Sequence, residues 1–249
     1  MIRISETVKH LIIINVIMFI GTLTIGQGLL FTQWFAMYFP QNEAFKSWQI
    51  ITHMFMHGGY MHIFFNMFAL WMFGSPVEYY LGSKRFLFLY ISAGLGAAAL
   101  QVGYYYVEYL PAYNNLINSG LTYDQISQML STNKVLQGVS QAQLSELQQI
   151  FPIFNASMVG ASGCIMGVMA AFAMMNPNAE LMMIFLPIPI KAKYFIPGII
   201  ILDLISGLRG QSIFGYGNIA HFAHVGGALT GFLIMWYWKK NQFNSNRWN

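Results

Sequence analysis

Ile219-Ala220-His221-Phe222-Ala223-His224-Val225-Gly226-Gly227-Ala228-Leu229-Thr230-Gly231-Phe232-Leu233-Ile234-Met235-Trp236-Tyr237-Trp238 contains no Asp, Glu, Lys or Arg, and Lys239-Lys240 follows it directly. A helix that crosses a bilayer needs about 20 mostly apolar residues, and this stretch supplies them. His224 sits inside it, and an ionisable side chain within a span is costly and marks function. Gly227 and Gly231 have the small-xxx-small spacing that lets membrane helices approach backbone to backbone. The stretch therefore predicts a membrane helix that packs tightly on a partner helix, with an imidazole that by itself reads either as functional or as a buried hydrogen-bonding group.

The rest of the chain agrees. Of 249 residues, 56% are hydrophobic and 8% charged, whereas an ordinary soluble domain is roughly 25% charged. Mean hydropathy is +0.51. So few charges cannot cover a water-facing surface. The expected fold class is all-α, a polytopic membrane protein forming a single domain over residues 1–249. Six spans are expected, at about 10–30, 61–81, 86–107, 159–175, 194–208 and 219–238. The fourth and fifth are short, and their ends extend into Val159-Gly160 and into the Leu181–Ile190 run, where Pro187 and Pro189 break a helix.

Basic residues set the orientation. With the N-terminus inside, the inner segments hold Arg3, Lys9, Lys84, Arg85, Lys191, Lys193, Lys239, Lys240 and Arg247, and the outer loops hold Lys46, Lys134 and Arg209. This bias alternates at every loop and places both termini in the cytoplasm. The N-terminal apolar stretch is expected to be a retained first span, since no Ala-x-Ala-like cleavage site follows it. Cys164 is the single cysteine, which excludes an intrachain disulfide. No Lys/Arg run suggests nucleic acid as a partner.

Residues 108–155 form the expected outer loop, long and rich in Gln, Ser and Asn. Thr122-x-x-Gln125 and Ser140-x-x-Gln143 have the form of capping boxes, and Leu144, Leu147 and Ile150 recur at helical spacing. They predict one or two short amphipathic helices outside the membrane, in a structural or docking insert.

A partner for His224 is sought among hydroxyls inside other apolar runs. Val159-Gly160-Ala161-Ser162-Gly163 offers one. A serine at a helix start, flanked by glycines, exposes its hydroxyl beside free backbone N–H groups. Those donors suit a developing oxyanion. Alone, such a serine reads as helix packing; paired with His224 it reads as a nucleophile with its base. His62 and Asn66 lie four apart on one helix face and can donate further hydrogen bonds. His53, His57 and His62 could instead be weighed as a metal site, but no HExxH motif or acidic ligand accompanies them, and no metal is expected. His221 is expected to be a solvated boundary residue. No acidic residue flanks His224, so packing and backbone are expected to orient it; Asp203 is expected to pair with a polar neighbour in the bundle, not to take part in chemistry.

Three separated motifs give the chain a resemblance to the rhomboid intramembrane serine proteases. Gly160-Ala161-Ser162-Gly163 resembles the family GxSG; Ala223-His224-x-x-Gly227-x-x-x-Gly231 resembles its AHxxGxxxG; His62-x-x-x-Asn66 resembles its HxxxN. Phe73-Gly74-Ser75-Pro76-Val77-Glu78 is similar to its GxxxE element, with Gly74 and Glu78 structural. The resemblance runs from about Trp48 to Trp238. It implies Ser162 as nucleophile, His224 as general base and His62 with Asn66 as oxyanion donors, with Gly160, Gly163, Gly227 and Gly231 as structural glycines. It also implies transmembrane protein substrates in the lipid bilayer, cleaved through an acyl-enzyme, with no cofactor. Two positions depart from the family pattern: Gln49 stands where an arginine is usual, and Met166 where an aromatic usually packs on the histidine. The rival expectations are a catalytically inactive client-binding relative, which would be expected to lack the serine or the histidine, and a transporter, for which no internal repeat is seen.

Overall fold

A computed structural model describes residues 3–183, 186–209 and 220–245. Ile219 of the last expected span, Ile184 and Phe185 of the proline-containing run, and Arg247 lie outside these. Among the described residues, two helices are each long and apolar enough to cross a membrane, α1 (Glu6–Thr24) and the much longer α6 (Ser83–Asn118), named here in chain order. Between them come α2 (Leu29–Phe35), α3 (Gln49–Thr52), α4 (Tyr60–Ala69) and α5 (Ser75–Leu81). A π turn over Leu70–Gly74 joins α4 to α5, so the helical backbone runs unbroken from Tyr60 to Leu81. After α6 follow α7 (Tyr123–Thr132), α8 (Gln141–Phe154), α9 (Ser162–Met175), α10 (Ala192–Arg209) and α11 (His221–Ser245).

The structure moves several expected boundaries. The first helix ends at Thr24 and not at Leu30, because Gly26 (φ +60°) and Gly28 (φ +85°) adopt left-handed backbone that an α-helix cannot contain. The third helix does not stop at 107. Tyr109, Ala112 and Leu116 continue one helix face and are buried against the following segment, so residues 108–118 are helix and not loop. The Ser162 helix begins at Ser162 and not at 159, because Ser157–Met158 is a strand (β2) and Gly160 has φ +132°.

Nor is the chain wholly helical. β2 pairs antiparallel with β1 (Met37–Tyr38), Met37 opposite Met158. In the proline-containing run, β3 (Glu180–Met183) pairs antiparallel with β4 (Leu186–Lys191). Prolines two residues apart align their missing N–H groups along one edge of a strand, which a two-stranded ribbon tolerates and a helix does not.

Two apolar clusters hold the chain. The larger joins α1, α5, α6, α9 and α10 through buried residues such as Val8, Val77, Tyr90, Val168 and Ile196. The smaller joins the far end of α6 to α7 and α8 through Phe39, Leu116, Ile126, Leu130, Ile150 and Phe154. Both capping boxes form: Thr122 and Gln125 exchange hydrogen bonds of 3.3 and 2.9 Å, as do Ser140 and Gln143.

At the centre, α6, α9 and α11 meet almost without side chains. A Cβ on Gly227 would lie 2.0 Å from the Gly163 carbonyl oxygen, and one on Gly231 would lie 2.3 Å from that of Gly167. A Cβ on Gly163 would fall 2.5 Å from that of Ala97. Glycine at these positions is what permits the backbone distance.

Candidate active site

Ser162 is the first residue of α9, and Ala161 before it offers no side-chain cap. The first intrahelical acceptor is taken by the Ile165 N–H, which bonds Ala161 O at 2.9 Å, so the helix itself leaves the N–H groups of Ser162, Gly163 and Cys164 unused. Gly160 ties the approach to this helix start: its N–H donates to the His53 carbonyl at 2.9 Å. Its φ of +132° is a conformation L side chains rarely adopt, and a Cβ there would stand 3.0 Å from the His62 ring.

His224 lies in the first turn of α11, whose backbone the glycine contacts hold against α9. Its Nε2 is 2.8 Å from Ser162 Oγ. The start of α11 is held from the α6 side as well. The Ala223 N–H donates to Gln101 Oε1 at 3.1 Å, and Phe222 stacks on Tyr104 with centroids 4.2 Å apart.

His62 and Asn66 share a face of α4. The His62 Nδ1 accepts from the Gly58 N–H at 3.3 Å, which leaves Nε2 as the protonated nitrogen, beside Gly160. Asn66 donates from Nδ2 to the His62 carbonyl at 2.8 Å. The structure brings both to the cleft that holds Ser162, but one Asn66 donor is spent on its own helix. That cleft, of about 1550 Å³, is lined by Ser162, His224, His62, Asn66, Gly160 and His221 among others.

Asp203 and His221 were not expected here. Asp203, on α10, places Oδ2 3.0 Å from His224 Nδ1 and Oδ1 2.7 Å from His221 Nδ1. A carboxylate therefore does meet His224, although none adjoins it in sequence. His221 is not a solvated boundary residue: its side chain is 10% exposed, and those of Asp203 and His224 are 12% and 18%. The signal in the sequence was the spacing of His221 and His224, three apart and so on one helix face, with a lone acid inside the preceding apolar run.

Of the two departures from the family pattern, Gln49 has a local explanation and Met166 has none in the structure. Gln49 is fully buried; its Nε2 donates to the Gln33 carbonyl and to the Ala44 carbonyl at 3.1 Å each, and its Oε1 accepts from the Lys46 N–H at 3.0 Å. A neutral amide with donors and an acceptor closes this loop from inside. Met166 is buried one turn after Ser162 and lines the cleft.

Behind His62, burial drives the His53 imidazole down to about 4 and that of His57 to about 3, the latter helped by neighbouring His62. His57 packs edge-on against His62, centroids 5.0 Å apart. Among the described residues, no group of three or more His, Cys, Asp or Glu side chains is placed to share a metal ion.

Residues 44–241 match the family model for the Rhomboid domain. The chain is 23% identical over 191 residues to Rhomboid protein 1, mitochondrial, of Saccharomyces cerevisiae, covering 77% of this chain and 42% of that protein. It is 29% identical over 203 residues to Presenilin-associated rhomboid-like protein A, mitochondrial, of Danio rerio, covering 80% and 39%. A shorter match, 44% over 48 residues, covers 19% of this chain and 10% of Rhomboid protease GluP of Bacillus subtilis. The chain thus spans about two-fifths of the length of the first two relatives.

Proposed function

This chain is a membrane-integral member of the rhomboid family, and on that premise we propose that it is an intramembrane serine endopeptidase in which Ser162 is the nucleophile and His224 the general base. The observation that carries this reading is the 2.8 Å separation of Ser162 Oγ and His224 Nε2 at the wall of a cleft.

Six spans cross the bilayer with both termini on the cytoplasmic side, and residues 108–155, including the far end of α6, lie outside the membrane on the opposite face. Ser162 Oγ attacks a substrate carbonyl carbon as its proton passes to His224 Nε2. The oxyanion accepts hydrogen bonds from the free N–H groups at the start of α9, from His62 Nε2 and from the second N–H of Asn66. Collapse of the intermediate breaks the C–N bond, and His224 returns the proton to the leaving amine. Water then attacks the acyl-enzyme, giving its proton to His224, and Ser162 is regenerated. The substrate is a transmembrane segment that can unwind locally, because a helix in lipid otherwise keeps its carbonyls bonded.

Labelling of the purified chain with a serine-reactive fluorophosphonate tests this. Wild type labels, whereas Ser162→Ala and His224→Ala do not, although both remain folded. Equal labelling of Ser162→Ala would refute the assignment; a folded wild-type chain that neither labels nor cleaves any single-span reporter would point to client binding without hydrolysis.

A further inference from the structure

Asp203 faces two imidazoles at once. Oδ2 meets Nδ1 of His224 and Oδ1 meets Nδ1 of His221, from a helix distinct from that of the histidines. An ionised carboxylate only accepts hydrogen bonds, so both Nδ1 atoms must carry hydrogen. For His224 this has one consequence. In the neutral ring a hydrogen on Nδ1 leaves the lone pair on Nε2, the nitrogen 2.8 Å from Ser162 Oγ.

We propose that Asp203 is a positioning residue that fixes the reactive tautomer of His224, and that His221 in turn fixes Asp203 by occupying its other oxygen. This rests on the reading of Ser162 and His224 as nucleophile and base. The line Ser162–His224–Asp203–His221 joins α9, α11 and α10, and only Ser162 and His224 touch the reacting atoms. When His224 takes the serine proton, its positive charge develops 3.0 Å from the Asp203 carboxylate. Both side chains are mostly buried, 18% and 12% exposed, so the pairing is worth more there than in water. The carboxylate also lies beside the first turn of α11, where the helix dipole favours an anion. Among the described residues, losing His221 removes the histidine partner of Oδ1; with it, each oxygen meets an imidazole and the carboxylate plane is set.

An amide at this position has one acceptor and one donor group in place of two acceptors. In Asp203→Asn one of the two histidines must face an NH2, and its ring must turn over or adopt the other tautomer. His221→Gln keeps a donor for Oδ1, whereas His221→Ala removes it.

The test is fluorophosphonate labelling of the full chain in detergent, with the maximal rate separated from the half-saturating concentration, alongside ¹⁵N-histidine NMR. For Asp203→Asn the maximal rate falls about 10²- to 10⁴-fold with half-saturation little changed, the size expected when a base is left in the wrong tautomer. His221→Ala falls roughly 10-fold and His221→Gln recovers most of that loss, since one supporting hydrogen bond is worth on the order of 1.4 kcal/mol, a factor of ten. In wild type the neutral His224 shows hydrogen on Nδ1 and a bare Nε2. A folded Asp203→Asn protein that labels at the wild-type rate overturns the proposal. Should that variant not fold, the wild-type spectrum decides alone: neutral His224 with hydrogen on Nε2 overturns it. Ser162→Ala separates the two levels, because labelling of that control defeats the nucleophile assignment and not the tautomer.

Discussion

The two packed regions of this molecule are built on opposite rules. Where α9 meets α11 and α6, closeness comes from missing side chains: Gly163, Gly167, Gly227 and Gly231 bring carbonyl oxygens to where a Cβ would sit. Where α7 and α8 meet the far end of α6, closeness comes from side-chain volume: Leu116, Ile126, Leu130 and Ile150 are each at most 1% exposed. The first region is damaged by adding atoms and the second by removing them. The first also sets the distance between Ser162 and His224. The second sets only where the chain re-enters, through Phe154, β2 and Gly160, on its way to Ser162.

The largest expected effect leaves both regions intact. Ser162→Ala or His224→Ala is expected to lower turnover of a single-span reporter by on the order of 10⁴-fold or more, with the protein folded in either case. Next, Gly227→Val should break the glycine region alone. Its added carbons meet the Gly163 backbone, which has no flexible end to yield, and a displacement of about 1 Å at the reacting atoms costs roughly 10²-fold. Labelling rate read beside melting temperature checks this; a folded Gly227→Val protein with wild-type labelling would show that the contact does not set the dyad distance. Asn66→Ala is expected to cost up to roughly 10²-fold in kcat with little change in KM, as for one oxyanion donor.

Ile150→Ala sharpens the contrast from the other side. It removes volume from the smaller cluster and should destabilise by about 2–5 kcal/mol, read as faster proteolysis between 119 and 155. Turnover by the folded fraction should fall far less than in Gly227→Val. A pH dependence also acts beside the glycine region. His53 and His57 are held near 4 and 3 when folded, against an ordinary 6.5. The unfolded chain therefore binds more protons between those values, so stability is full above about 6.5 and falls as pH drops toward 4. Melting temperatures at pH 7 and pH 4.5 should differ, and His57→Leu should narrow the difference.

Much of the local structure was legible in the sequence, because it is written in short-range patterns. The capping boxes at Thr122 and Ser140 need only a three-residue spacing. The glycines four apart on α11 announce a close contact before its partner is known. Ser162, His224, His62 and Asn66 were named from glycine-flanked and i,i+4 patterns, and the structure gathers all four at one cleft. The end of α1 was misread because the apolar run continues past Gly26 and Gly28, whose left-handed backbone composition does not reveal. The end of α6 was misread for the opposite reason: polar residues on its outer face hid the buried line through Tyr109, Ala112 and Leu116.

Sequence alone determined the apolar runs, the breaks between most of them and the residue types able to carry a proton, since these follow from hydropathy, spacing and side-chain chemistry along one helix. Tertiary structure alone decided that Asp203 stands between His221 and His224, and that Gln49 closes its loop from inside. Periodicity tells which face of a helix is special, but not which residue of another helix that face will meet. That second choice depends on how closely the backbones approach and on the rotation of each helix, quantities fixed only when the whole bundle packs.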